Sequence, residues 1–178
     1  SYEHFGVTPD LSTWAKSMGS GMPIAAVVGR ADLMDAAAAG TIGGTYIGNP
    51  VSCAAALATI QFMRETDLNT RAEQVGRIVR ERLEAMRQKH ACIGDVRGRG
   101  AMMAVEFVFH QDPRQPDAKS GAALVDACAE RGLILLGAGT HRNVVRVLGP
   151  LVIEDEQLHR GLDIIDEELT RITRANAS

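Results

Sequence analysis

Three positions in this chain hold residues whose type and setting could do chemistry. Lys16 stands between a short strand-like run, Leu11-Ser12-Thr13-Trp14-Ala15, and a second apolar run, Ile24-Ala25-Ala26-Val27-Val28. An ammonium between buried-type strands must find a counter-charge, lose its proton or react. A lysine that turns neutral is a nucleophile able to form a Schiff base with an aldehyde. The alternative is a snorkelling lysine, its stem packed and its head in water. Gly43 and Gly44 let a backbone approach a ligand closely, and Thr45 sets a hydroxyl beside their amides, a combination that can cradle a phosphate. It could equally be a glycine turn leading into a helix. Arg146 interrupts the apolar run Asn143-Val144-Val145-Arg146-Val147-Leu148, where a planar guanidinium needs an anion. That anion could be a substrate carboxylate or a structural glutamate.

Other motifs are weaker. Gly98-Arg99-Gly100 lacks the third glycine and the strand-turn-helix setting of a dinucleotide fingerprint, and reads as a turn. His4, His90, His110, His141 and His159 pair with no nucleophile and read as surface or packing residues. Cys53, Cys92 and Cys128 form neither an even framework nor a CxxC pair, and read as buried free thiols of a reducing compartment. His90 and Cys92 make one close pair with no second to complete a metal site, so no metal is expected.

The elements that must position these groups are legible in part. Asn49 and Pro50 suit the N-cap and first position of a helix over about Pro50 to Arg64. Thr70 and Glu73 make a capping box for a second helix, whose stripe is Val75, Ile78, Val79, Leu83 and Met86. Ile93–Val96 and Met102–Val108 read as strands around the turn Arg97-Gly98-Arg99-Gly100. A loop over 110–116, with Pro113 and Pro116, should be exposed. Asp117 caps a helix reaching Arg131, with Gly132 left-handed behind it. Leu133–Leu136 and Val144–Leu148 are two more strands. The acidic pair Glu154-Asp155 opens a last helix carrying Leu158, Leu162, Ile165, Leu169 and Ile172.

The balance of the chain excludes several classes of partner. Of its 178 residues 46% are hydrophobic and 23% charged, with a formal charge of −3. That is an ordinary globular composition, with no electrostatic reason to expect nucleic acid or an anionic membrane. No apolar stretch approaches the roughly 20 residues of a spanning helix, and the first residues lack the pattern of a signal peptide.

Taken in order, TPDLSTWAKSMGSGMPIAAVVGR, GGTYIGNPVSCAAAL, IGDVRGRGAMMAVEF, RGLILL and NVVRVLGPLVIED resemble the C-terminal part of class III pyridoxal-phosphate aminotransferases, above all those acting on 4-aminobutyrate. The resemblance covers essentially the whole chain and implies an α/β fold of the fold-type I kind. Residues 1–68 would be the end of a large, mainly parallel-sheet domain with its linking helix, and 69–178 the small C-terminal α/β domain. It implies that Lys16 holds pyridoxal 5'-phosphate as an internal aldimine and moves the proton in catalysis. It implies that Thr45 binds the cofactor phosphate across a dimer interface, and that Arg146 grips a substrate carboxylate.

The reaction so implied moves the amino group of 4-aminobutyrate, or a similar ω-amino acid, to 2-oxoglutarate. The alternatives in the same class are 5-aminovalerate, ornithine and acetylornithine. A homodimer or dimer of dimers in the cytoplasm is expected, with small amino acids and 2-oxoacids as its ligands. Family members are more than twice as long, and Asp10 does not match their pyridine-pairing aspartate. The chain is therefore expected to be a fragment, inactive alone. The reading from another class is a truncated module that only dimerises or binds a partner. Strands within residues 1–48 should then expose unpaired edges.

Overall fold

Elements are short and glycine-punctuated at one end of the chain and long at the other. A computed structural model describes residues 2–177, the side chains of 176 and 177 excepted. It divides into two compact units, Ser1–Asp67 and Leu68–Ser178.

In the first unit, β1 (Leu11–Trp14) pairs antiparallel with β2 (Ala26–Gly29), so Leu11 faces Gly29 and Trp14 faces Ala26. A side chain at Gly29 would strike the Leu11 side chain and the Asp10 carbonyl, which is why the edge needs glycine there. Arg30 ties the pair's end by ion pairs to Asp10 at 2.9 Å and Asp32 at 2.7 Å. A 3-10 turn, Lys16–Gly19, follows β1, and the one-turn α1 (Ala31–Met34) follows β2. Helix α2 runs Pro50–Glu65, where the Asn49 side chain accepts from the Val51 and Ser52 amides, as an N-cap should. It packs against the 3-10 turn and buries Ser52 and Ala56, one helical turn apart.

The second unit is a two-layer sandwich. Its helices are α3 (Leu68–Lys89), α4 (Ala118–Glu130) and α5 (Asp155–Ala177). Its antiparallel sheet has the order β3 (Ile93–Arg99), β4 (Met102–Phe107), β6 (Val144–Val147), β5 (Leu136–Ala138). Val96, Met103, Val105, Phe107 and Val145 leave one face of that sheet and pack with Val79, Leu83, Leu124, Leu162 and Ile165 of the helices. Alternation therefore sends Asp95, Arg97, Ala104, Glu106 and Arg146 to the other face. Gly76 lets α3 sit on the β3–β4 turn, because any Cβ there would overlap the Gly100 carbonyl.

Several expectations move. Helix α3 begins at Leu68, so Thr70 lies inside its first turn instead of capping it. The β3–β4 turn tightens to Gly100-Ala101, since Arg97, Gly98 and Arg99 pair with Ala104, Met103 and Met102. The strand expected over Leu133–Leu136 starts at Leu136 instead, because the left-handed Gly132 (φ 80°) ends α4 and pairing to Arg146 sets the register. Every strand pair among the described residues is antiparallel, and the mixed α/β architecture with small sheets is the one expected of part of a fold-type I protein. Of the three thiols only Cys128 is fully buried, Cys53 and Cys92 being half-buried. The helices with Asn49 and Asp117 as caps, and the exposed turn before Asp117, stand where the spacing puts them.

Candidate active site

Lys16 is placed by local backbone. β1 ends at Trp14, Ala15 is fully extended, and Lys16 opens the 3-10 turn in the left-handed region at φ 62°. A residue with a Cβ holds that conformation at a cost of about 1–2 kcal/mol. Gly19 closes the turn, buried, with room for no Cβ because Ile24 Cγ2 would lie 2.7 Å from it. The turn and α2 frame an open hollow lined by Lys16, Met22, Gly44, Thr45, Tyr46 and Asn49. The structure thus brings Lys16 and Thr45 to one hollow of one chain, whereas the resemblance assigns Thr45 to the site of a second copy. A Cβ at Gly43 would meet nothing within 4 Å, whereas one at Gly44 would lie 3.3 Å from Ile47 Cγ1.

Lys16 is exposed, not dry. The expectation of a desolvated lysine does not hold within this chain, because the first unit buries only Gly19, Ser52 and Ala56 among its described residues. Water reaches the ammonium from a side that no described element covers.

Arg146 belongs to the second unit, on the sheet face opposite the one that packs on α3, α4 and α5. It is half-buried, paired in register with Ala104 on one side and Leu136 on the other. Its Nε is buried with no hydrogen-bond partner. No carboxylate among the described residues makes an ion pair with it.

The neighbours of Arg146 were not singled out in the sequence. Arg97 donates through Nη1 to Asp95 Oδ2 at 2.8 Å and to Glu106 Oε2. Asp95 above all, with Glu106, holds the Arg97 guanidinium above its ordinary pKa. Glu106 is in turn seated by Asn143, a buried amide whose Nδ2 lies 3.3 Å from Glu106 Oε1 and 2.8 Å from the Phe107 carbonyl. The signal that could have found this set is the alternation Asp95, Arg97, Arg99 at a spacing of two, which marks a polar strand face.

Cys92 and Cys128 take no part. Burial raises both thiols, Cys128 to about 11, so both stay protonated and unreactive at neutral pH. No group of three or more metal-ligating side chains occurs among the described residues. No described helix is long and apolar enough to cross a membrane.

The family model for "Aminotransferase class-III" matches residues 1–169. The 4-aminobutyrate aminotransferase of Escherichia coli (strain K12) is 47% identical over 165 residues, which are 93% of this chain and 39% of that one. A 5-aminovalerate aminotransferase of Pseudomonas putida (strain KT2440) is 48% identical over 165 residues, again 93% of this chain and 39% of the relative. Among solved structures, a phospholyase from Arthrobacter in complex with phosphoethanolamine superposes with a TM-score of 0.87 at 35% identity, covering 95% of this chain and 40% of that one. The chain thus spans about two fifths of the length of the relatives it matches.

Proposed function

We propose, from the premise that this chain belongs to the class III aminotransferases, a pyridoxal-phosphate-dependent family, that its protein moves the amino group of 4-aminobutyrate to 2-oxoglutarate. 5-Aminovalerate is the nearest alternative donor, since relatives named for the two donors are 47% and 48% identical to the chain. Ornithine and acetylornithine are more distant candidates. A fold shared with a phospholyase does not fix the reaction, so the reading has to rest on side chains.

The observation that carries it is Arg146. A half-buried guanidinium with a buried, unpartnered Nε and no acid in ion-pair reach is set up for an anion from outside the chain. Its fork donates two parallel hydrogen bonds to a carboxylate, which fixes orientation as well as position. Small amino acids and 2-oxoacids both carry that group.

The hollow of the first unit fits the family's cofactor. Lys16 offers the amine for an aldehyde, and Thr45 and Gly44, which line the same hollow, offer a hydroxyl and a backbone amide for a phosphate. When bound, pyridoxal phosphate supplies the aldehyde and the electron-withdrawing ring. Lys16 Nζ is the group that takes and returns the substrate's proton, for which it must be neutral in the assembled protein. Arg146 holds the substrate's carboxylate so that the carbon losing the proton stays in one place. Covering Lys16 from water falls to protein outside the described surroundings, either more of the same polypeptide or a second copy in a dimer.

The exposed Lys16 favours a second reading, a module that dimerises or binds a partner without catalysis. Treating the chain with pyridoxal phosphate and borohydride, then mapping the adducts, separates the two. The enzyme reading expects an adduct at Lys16 in large excess over Lys89 and Lys119, reduced in Thr45→Ala. Equal labelling of all three lysines would leave only the module.

A further inference from the structure

The second unit carries a hollow that the reaction proposed above does not use. It lies beyond the C-terminal end of α3 and beside the first turn of α4, and Lys89, His90, Phe109, His110, Asp117 and Lys119 are on its wall. Lys16, Thr45 and Arg146 do not line it. Its volume of about 730 Å³ is room for a small organic molecule. The wall is apolar at Phe109 and cationic at Lys89 and Lys119, with two imidazoles besides.

His90 is the member that calls for a ligand. It is only 6% exposed, yet one ring nitrogen is left over: Nε2 lies 3.3 Å from Asp166 Oδ1 on α5, and Nδ1 has no hydrogen-bond partner among the described residues. Asp166 is an acceptor, so Nε2 carries the hydrogen. The neutral ring then keeps a bare lone pair at Nδ1, and the protonated ring has an N–H there. Asp166 is the counter-charge of that imidazolium, shared with Lys89 at 2.8 Å. On α4, Asp117 has both oxygens taken by the Ser120 amide and hydroxyl, whereas Lys119 makes no ion pair among the described residues. His110 touches only the Phe109 ring, and half-buried Cys92 stays a neutral thiol because burial raises its pKa.

We propose that this hollow binds a phosphate group, free or carried on a small organic body, with Lys119 as its fixed charge and His90 Nδ1 as a donor switched on by protonation. Ammonium and imidazolium groups reach an oxyanion as separate point donors, which suits a tetrahedral group. A planar carboxylate is matched by an arginine fork, and no arginine lines this hollow. As pH falls through the range in which imidazoles titrate, the site gains a donor and a charge together, so its occupancy rises.

The test titrates sulfate, whose own charge does not change between pH 5.5 and pH 8.5, into the 178-residue chain while histidine ring signals are followed by nuclear magnetic resonance. Sulfate should move the His90 ring and bind about tenfold more tightly at pH 5.5 than at pH 8.5, since one charged donor is gained. His90→Gln should abolish that pH dependence and His110→Gln should leave it. Lys119→Met should weaken sulfate by about fivefold at both pH values, as expected for one exposed charge. The site is overturned if sulfate leaves the His90 ring unmoved, if the affinity ignores pH, if its pH dependence follows His110, or if Lys119→Met binds like the wild type. Should His90→Gln not fold, the wild-type His90 signal and Lys119→Met still decide. Inorganic phosphate and glycerol 3-phosphate at pH 6 then separate the two sources. A preference for the ester of about threefold or more assigns the phosphomonoester, and anything less assigns the free ion.

Discussion

Residues 68–178 close one apolar core from three helices and one sheet face, whereas residues 2–67 bury only Gly19, Ser52 and Ala56. Tyr46, Ile47, Val51, Leu57 and Phe62 of the first unit all stand exposed. The difference lies in geometry more than composition. A two-stranded pair and one packed helix have too few faces to enclose anything, while a four-stranded sheet under long helices does. Groups that chemistry needs are divided accordingly. Lys16 and Thr45 are held by backbone turns in the core-poor unit, and Arg146 by strand pairing in the core-rich one.

The sharpest way to break that contrast is to truncate a leucine in each unit. Leu83 is fully buried, and Leu83→Ala should cost about 3 kcal/mol or more in urea unfolding. Leu57 is 69% exposed, and Leu57→Ala should cost less than about 0.5 kcal/mol. Equal losses would mean that the first unit has an enclosed core after all.

Thiol chemistry probes the same contrast without mutation. Cys128 is fully buried, its pKa pushed up to about 11 by burial and then by nearby Glu168. It should react with iodoacetamide at least about 100-fold more slowly than half-buried Cys53 at pH 8. Comparable rates, read by peptide mass, would show that the second unit opens readily.

The two helix caps give a smaller effect. Asp117 is buried and accepts from both the amide (3.0 Å) and hydroxyl of Ser120, while Asn49 caps α2 at a half-buried edge. Asp117→Ala should cost about 2 kcal/mol and Asn49→Ala about 1 or less, so a reversed order in thermal unfolding would contradict the difference in enclosure.

The smallest effect depends on pH. Burial tends to raise the Asp166 pKa, but Lys89 at 2.8 Å and the His90 ring at 3.3 Å outweigh it and hold it below the ordinary 3.8. A carboxyl depressed on folding stabilises above its unfolded pKa, and the gain disappears as pH falls through the folded value, here below 3.8. Lys89→Met should therefore lose stability at pH 6 and match the wild type near pH 2. With Lys89 more than half exposed, about 0.5 kcal/mol is expected. A loss equal at both pH values would point to lost packing instead.

Local signals were enough wherever a single segment decides. The Asn49–Pro50 start of α2, Asp117 before α4, Gly132 behind it and the apolar stripe of α3 each follow from neighbours in the chain. Thr70 misled because a capping box is a local preference, and α3 gains three more helical residues by starting at Leu68. Leu133–Leu135 misled because apolar runs do not say whether a segment pairs, and here pairing begins at the residue opposite Arg146.

By itself the order of residues determined most of the elements, the three chemical groups and the family they resemble, because each is written in short spacings along one stretch of chain. Tertiary structure alone decided that Lys16 meets water, that Arg97 bonds Asp95 and Glu106 and that the Arg146 Nε has no partner. Those outcomes depend on which distant residues share a face: Arg97 lies 49 positions from Arg146 and one alanine away across the sheet. Register and burial are properties of the pairing, and no local spacing contains them.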